Sequence, residues 1–345
     1  MLVKISILDQ SPAAEGRSQD HAIRESLALA QLCDDLRYHR YWVSEHHNSG
    51  SIVGTAPEIL MAAAAATTRR IRVGSAGVML PHYSALKVAE QFRVLEAIAP
   101  GRIDIGLGRA PGSDRLTAMA LNPNLSAVDE FPAQVQELGA WLRGEALPET
   151  HPFRDIRALP QGPTSPEMWI LGSSDYGAQL AAHYGLPYAF AYFFTDGQGT
   201  AEAMSIYRQI YRPSERHPKP QATLCIWALV ADSRDEAEHH ALSRERWRVD
   251  RARGVFGPLQ APDDIAAHGF SSVEMGTVVQ MRARAFVGTP GDVADRMRRL
   301  AAHFELDELV VNTWAHDPAV RRRSYALLAR EFGLSEANPR SAAAR

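Results

Sequence analysis

Cysteine is almost absent from this chain. Cys33 and Cys225 are the only two, they lie far apart, and neither sits in CxxC or CxH spacing. That excludes a disulfide framework and a zinc cluster, and a reducing cytoplasm is the expected setting. Long apolar runs are missing as well. The longest, Ala56 to Thr67, is mostly alanine and falls short of the ~20 residues a membrane span needs, so it reads as a buried helix. The amino terminus reaches Asp9 too soon for a signal peptide. Charge of one sign is nowhere concentrated: the formal net charge is −3, and Arg298-Arg299 and Arg321-Arg322-Arg323 fall among helical residues. Such clusters read as solvated helix faces, and no nucleic-acid partner is expected.

What the sequence does have is alternation. Hydrophobic residues make up 46% of the chain and charged residues 22%, enough to fill a large core without a signature of disorder. Leu2 to Leu8 alternates as a strand does. A helix with Ser18 or Asp20 at its N-cap follows, carrying Ile23, Leu27, Ala30, Cys33 and Leu36 at helical spacing. Further strands are expected at Tyr41–Ser44, Ile71–Leu80, Arg102–Gly108, Met168–Leu171, Pro187–Phe193, Thr223–Val230 and Glu308–Asn312. Between them lie helices opening at Pro57, Ser84, Thr289-Pro290 and Asp317-Pro318, among others.

Eight β-then-α alternations demand a parallel sheet with right-handed crossovers, and predict a single (β/α)8 TIM barrel over 1–345. The surplus over ~250 barrel residues falls in two insertions. One spans 110–167, between strands four and five, with a single helix expected at Ala127–Leu142; the other spans 251–289, after strand seven, where glycines and prolines interrupt any periodicity.

Barrel chemistry gathers at the carboxyl ends of the strands. One such end carries Glu45-His46-His47. Neighbouring residues on a strand face opposite ways, so these three cannot all aim at one ion, and no metal site is expected. The same alternation sets His46 apart from Glu45 and His47. That suits a single catalytic imidazole, with a hydrogen-bonded rim histidine as the competing reading.

Gly106 to Gly112 has the spacing G-x-G-x-x-x-G with Pro111 inside it, a poor dinucleotide fingerprint. Arg109 within it reads better as an anion clamp, against an ion pair with Asp104 or Asp114. Gly172-Ser173-Ser174 leads into a helix near Asp175, which offers either an anion site at a helix N-terminus or plain capping by Ser174. Neither G-x-S-x-G nor G-x-x-x-x-G-K-[ST] is present, so a nucleophile elbow and a phosphate loop are excluded. Tyr83, Tyr192, Phe193 and Trp314 are candidates for an apolar cavity or for core.

Several stretches together resemble the bacterial luciferase-like (alkanal monooxygenase-type) family of flavin-dependent monooxygenases. They are Tyr41 to His47 (YWVSEHH), Ile71 to Pro81 (IRVGSAGVMLP), Gly101 to Arg109 (GRIDIGLGR), and Phe286 to Pro290 (FVGTP) with the later Glu308 to Val311 (ELVV). The resemblance implies a barrel that uses reduced flavin mononucleotide (FMN) and O2 to oxygenate a small organic substrate, expected to be apolar and aldehyde- or ketone-like. Carried over position by position, it makes His46 the proton-relaying histidine beside the flavin ring. Ala76 and Gly77 fall where the family has a non-prolyl cis peptide under that ring. Arg109 corresponds to the phosphate-clamping arginine, and Ser173, Ser174 and Gly177 to the phosphate turn and helix start. The resemblance further implies that 251–285 is a mobile lid, that a separate flavin reductase supplies the cofactor, and that the chain is a homodimer packed through barrel helices.

Two departures stand out. Luciferase proper has an acidic residue where Ser173 stands, and a second phosphate arginine in the region that here reads Ala127 to Phe131. Two alternative functions follow from related barrels: hydride transfer with the deazaflavin F420, and flavin binding without turnover. A histidine retained at position 46 counts against the second.

Overall fold

The computed structural model describes residues 3–334; Leu2, expected to open the first strand, and the end of the 1–345 barrel lie outside them. The strands are β1 (Lys4–Asp9), β2 (Arg40–Val43), β3 (Arg72–Met79), β4 (Ile103–Gly108), β5 (Glu167–Gly172), β6 (Tyr188–Phe190), β7 (Ala222–Val230), β8 (Phe286–Gly288) and β9 (Glu308–Asn312). From β1 to β7 each pairs with the next, β7 also pairs with β9, and β9 closes onto β1. Eight parallel strands thus form a closed (β/α)8 barrel, and β8 only extends the upper end of β7, from Ala228 to Val230.

Local chemistry explains where the outer helices start. Ser84 Oγ accepts from the Lys87 N–H at the head of the helix Ala85–Ile98, and Thr289 and Asp317 do the same before Pro290 and Pro318. The apolar stripe of Val88, Phe92 and Leu95 is buried against the barrel, whereas Ile98 lies on the outer face.

Inside the ring the side chains form layers. At the end where strands begin, register brings together Lys4 with Glu308, Arg40 with Arg72, and Asp104 with Glu167. Arg40 bonds Asp104 and Glu167 at 2.8 Å each and Glu308 at 3.0 Å, while Arg72 bonds Asp104 at 2.5 Å. Above this ionic plug, Trp42 and Trp169 meet edge to face at 5.2 Å, surrounded by Leu8, Ala189, Cys225 and Val310. Gly74 is glycine for their sake: a Cβ there would lie 2.6 Å from Trp42 Cδ1 and 2.7 Å from the Asp104 Cβ. The third layer, toward the carboxyl ends, is a hollow.

The two long insertions differ from expectation. Within 110–167 there are two α-helices, Arg115–Leu121 and Phe131–Arg143, with a 3-10 turn at Leu125–Val128 between them, where the sequence suggests one helix over Ala127–Leu142. Asp114 caps the missed helix by accepting from the Thr117 N–H at 3.0 Å. Within 251–289 the chain is mostly helical, at Pro262–His268 and Ser272–Arg284, where no pattern is legible. Both starts are marked: Pro262 stands in a first turn, and Ser271 and Glu274 form a reciprocal capping box. Periodicity failed because the second helix exposes Val273, Met275 and Val279 and buries Val278 and Met281, so no apolar stripe forms. The sixth strand is also shorter than expected, ending at Phe190, and Tyr192–Thr195 is a turn of helix. Finally, Arg321 is not on a solvated face. It is buried and pairs with Asp9 at 2.6 Å.

Candidate functional site

The hollow at the carboxyl ends encloses about 250 Å³. Its wall includes His46, Ala76, Gly77, Arg109, Ser173, Ser174 and Gly177, so the catalytic and cofactor-binding candidates of the sequence are brought to one cavity. They come from the carboxyl ends of four consecutive strands, β2 to β5, and parallel pairing of those strands makes the positions neighbours.

His46 follows β2, its backbone N–H bonded to Gly54 O at 3.0 Å. Glu45 and His47 turn the other way, and His47 Nε2 meets Glu45 Oε1 at 2.7 Å. Buried Glu45 also accepts from Tyr83 Oη at 2.6 Å and the Met79 N–H at 3.0 Å, which ties the segment after β2 to the end of β3 and the turn that follows it. Ser44 Oγ sits 3.2 Å from His46 Nδ1, leaving Nε2 with no hydrogen-bond partner among the described residues. Burial, with Arg251 adding to it, pushes the His46 pKa down to about 4. The imidazole is therefore neutral near pH 7, able to give or take a proton at the cavity.

On one side of the hollow, the Ala76–Gly77 peptide is cis, and the pairing of β3 with β4 shifts register there. A Cβ on Gly77 would come within 2.6 Å of Leu171 Cδ1 and 2.7 Å of Gly106 O, so no larger residue fits without movement. Ala76, Gly77 and Leu171 make this side of the cavity apolar.

Arg109 follows β4 and makes no ion pair among the described residues. Both carboxylates that could have claimed it are occupied: Asp104 by Arg40 and Arg72, Asp114 by Thr117 and Asn48. Its guanidinium instead lies 3.8 Å over the Tyr176 ring. Tyr176 belongs to the first turn of the helix Asp175–Tyr184, whose N-cap is Ser174. The Ser174 side chain makes no capping hydrogen bond, so the helix presents free N–H groups beside an uncommitted cation. Gly172 and Gly177 let strand and helix start close together, their Cβ positions meeting Tyr188 at 3.2 Å. A phosphate could be held here by Arg109, Ser173, Ser174 and the helix N-terminus.

Of the four aromatic candidates, only Phe193 lines the cavity. Tyr83 serves Glu45, Tyr192 packs on Phe286 at 6.3 Å, and buried Trp314 packs on Trp247 at 4.6 Å. The apolar wall is supplied by residues the sequence reading passed over: Trp42, Met79, Phe131, Tyr176, Phe190 and Phe194. Strand alternation could have found Trp42, which shares a face with Ser44 rather than with Tyr41. The helical residues Phe131, Tyr176 and Phe194 carried no such signal.

A (β/α)8 barrel whose strand ends gather an imidazole, an apolar slot and an unpaired guanidinium around one hollow has the layout of an enzyme active site. The sequence profile of the luciferase-like monooxygenases matches residues 1–304. The chain belongs to that family, and it is an oxidoreductase of the kind that uses molecular oxygen. Uncharacterized protein YwcH of Bacillus subtilis is 41% identical over 96% of this chain and 99% of its own length. The N-acetyl-S-alkylcysteine monooxygenase of the same organism is 34% identical over 95% and 97%. Among solved structures, apo-MsnO8 superposes with a TM-score of 0.86 at 36% identity, covering 96% of this chain and 99% of that one. The fold alone is shared with the oxygenating constituent of Pseudomonas putida 3,6-diketocamphane monooxygenase in complex with FMN. That match has a TM-score of 0.70 at 18% identity, covering 96% of this chain and 97% of the other. An F420-dependent secondary alcohol dehydrogenase shares the fold likewise, with a TM-score of 0.68 at 14% identity and coverage of 96% and 99%.

Proposed function

We propose that the chain is an FMN-dependent monooxygenase acting on a small, apolar, aldehyde- or ketone-like organic molecule. The observation that carries this reading is the pairing of an uncommitted guanidinium, Arg109, with an uncapped helix start at Ser174, at one end of an otherwise apolar slot. A cofactor with a phosphate at one end and a planar ring at the other matches that layout. Arg109, Ser173 and Ser174 would hold the phosphate, Gly177 would allow close approach, and Ala76 and Gly77 would lie against the ring. When bound in reduced form, FMN supplies the two electrons with which O2 places one oxygen atom on the substrate and the other in water.

The chain's own residues do the rest. His46 Nε2 exchanges protons with the reacting centre, its ring held by Ser44 at Nδ1. Phe193, Phe194 and Phe190 keep water from the slot. The segment 251–289 acts as a lid and a separate reductase delivers the reduced cofactor. The oxygenating-constituent and FMN-complex descriptions of the camphane enzyme support both the cofactor and a partner that reduces it.

A homodimer is proposed through the helices Pro57–Thr67 and Ala85–Ile98. Their outer faces expose Ile59, Val94 and Ile98 beside a string of alanines. Light scattering should show a dimer in the native chain and a monomer in the double variant Ile59→Glu, Val94→Glu.

The direct test is titration of the purified chain with FMN and with F420. Micromolar FMN binding and oxygen-dependent turnover of aliphatic aldehydes or ketones with reduced FMN are expected. Preference for F420 would move the activity to hydride transfer; FMN binding without any oxidation would leave a flavin carrier.

A further inference from the structure

The helix Arg234–Ala252 does not descend the barrel wall. It crosses the rim: Trp247 Nε1 donates to Ser51 Oγ at 2.7 Å in the loop after β2, and Arg248 bonds Asp196 at 2.7 Å after β6. Ala237, Ala241, Arg244 and Arg248 recur at helical spacing, and Ala237 and Ala241 pack on Trp227 of β7. Arg244 therefore belongs to the helix face turned toward the barrel.

That arginine is anomalous. It is 8% exposed, and its guanidinium makes no hydrogen bond and no ion pair among the described residues. The two neighbouring carboxylates are fully engaged elsewhere, Asp196 by both oxygens to Arg248 and Glu245 by both oxygens to Arg282. Three guanidinium groups thus share two carboxylates, and the surplus positive charge rests on Arg244. Burial, with Arg248 adding to it, pushes the Arg244 pKa down to about 9. An uncompensated cation held out of water is costly, and an anion beside it removes that cost.

The surroundings point the same way. The Arg244 guanidinium lies 4.2 Å over the Trp227 ring. Trp227, 5% exposed, follows cavity-lining Cys225 by two positions on β7, so it shares that face one pleat nearer the mouth. It packs in one cluster with Phe193, which lines the cavity. Its Nε1–H is buried without a partner, and so is Oδ1 of Asn312, its register neighbour on β9. Asn312 Nδ2 in turn donates to cavity-lining Gln10 at 2.5 Å.

We propose that Arg244 is the carboxylate anchor of a substrate subsite: the molecule oxidised is apolar around its reacting carbon, as the slot requires, but carries an acidic group at the remote end, and the Arg244–Trp227 pair holds it. This rests on the monooxygenase reading for what happens at the reacting end, but the binding itself is independent of cofactor.

The experiment titrates the full chain, without cofactor, with hexanoate and with hexanamide, which match in size and differ in charge. Calorimetry gives the affinity. Hexanoate is expected to bind at least about tenfold more tightly. Arg244→Gln should remove that preference, Arg244→Lys should weaken it without abolishing it, and Arg109→Gln should leave it intact. Equal affinity for the two probes in the native chain overturns the proposal. So does a preference that survives Arg244→Gln, or one that vanishes in Arg109→Gln, since the carboxylate would then sit at the phosphate end. Should Arg244→Gln fail to fold, the Lys variant decides: a weakened preference supports the anchor, an unchanged one overturns it. FMN titration of the same native chain separates the two readings, because failure to bind FMN removes the monooxygenase proposal and leaves the carboxylate preference standing.

Discussion

The two ends of the barrel use the same kinds of side chain in opposite ways. Where the strands begin, Arg40 and Arg72 are matched against Asp104, Glu167 and Glu308, and Asp104 is wholly enclosed. Where they end, Arg109 and Arg244 lack any acidic partner among the described residues, although carboxylates stand close by. Burial alone would raise the Asp104 pKa, yet Arg40 and Arg72 hold it below the ordinary carboxylate range. At the mouth burial, with Arg248 adding to it, outweighs the pull of Asp196 and Glu245 and lowers the Arg244 pKa. A charge neutralised inside the chain contributes to stability; one left over at the strand ends is free to meet a ligand.

The harshest way to break this comparison is Arg40→Met. It would leave Asp104 and Glu308 facing each other without their shared cation, and removing one partner from a buried ionic network costs about 3–5 kcal/mol. Urea unfolding should register that loss, with FMN affinity of the folded protein unchanged. A loss under about 1 kcal/mol would mean that the plug contributes no more than a surface pair.

At the other end the largest effect should be chemical rather than structural. His46→Ala is expected to lower turnover about 100-fold, the usual scale for a lost proton carrier, while FMN affinity and unfolding stay near native values. Undiminished turnover would place the proton elsewhere. Arg109→Gln sharpens the contrast with Arg40: FMN should bind about 10–100-fold more weakly, and unfolding in the absence of cofactor should not change. Should Arg109→Gln destabilise the empty protein as Arg40→Met does, the two ends are not different in kind.

How much of this was legible in the sequence follows the same division. Strand ends were readable because β-branched runs stop at glycine, histidine or serine, so His46, Arg109 and Ser174 could be placed at one rim before the fold was known. Helices of the inner wall and rim were not. Arg244 and Trp227 sit 17 positions apart, one in a polar amphipathic-looking helix and one in a buried strand, and nothing in either pattern reveals that one stacks on the other. The helical insertion at Pro262–Arg284 was missed for a related reason: capping residues marked its starts, but its exposed valines erased the periodic stripe. Local chemistry survives in a sequence; a contact decided by how a helix crosses the rim does not.

Acid should affect both ends at once. His39, near the plug, is pushed down to about 4 by burial and by Arg40, and His46 at the mouth reaches about 4 by burial and by Arg251, against an ordinary value of 6.5. An unfolded chain therefore binds more protons than the folded one between these values, and stability falls as pH drops through that window. Thermal melting at pH 5 should lie a few degrees below that at pH 7. His39→Asn should remove part of this acid loss without touching turnover. The turnover profile should stay level through pH 6.5 and fall only toward pH 4 to 5; a drop centred at 6.5 would show that His46 is not the group that titrates.

The smallest expected effect tests the subtlest part of the comparison. A serine at a helix N-cap normally contributes about 1 kcal/mol through its side-chain hydrogen bond, so Ser→Ala there is normally felt in unfolding. Ser174 makes no such bond. Ser174→Ala should accordingly leave the unfolding free energy of the empty protein within about 0.5 kcal/mol of native, the range of an ordinary surface change. Its hydroxyl is instead uncommitted beside Arg109, and losing it should weaken FMN several-fold, on the order of one hydrogen bond to a charged group. Ser84→Ala is the control, because Ser84 Oγ does cap the helix Ala85–Ile98 and is remote from the cavity wall. It should cost stability and leave FMN untouched. If Ser174→Ala behaves like Ser84→Ala, the serine at the mouth is a cap after all, and the free N–H groups on which the phosphate assignment depends are fewer than the geometry implies.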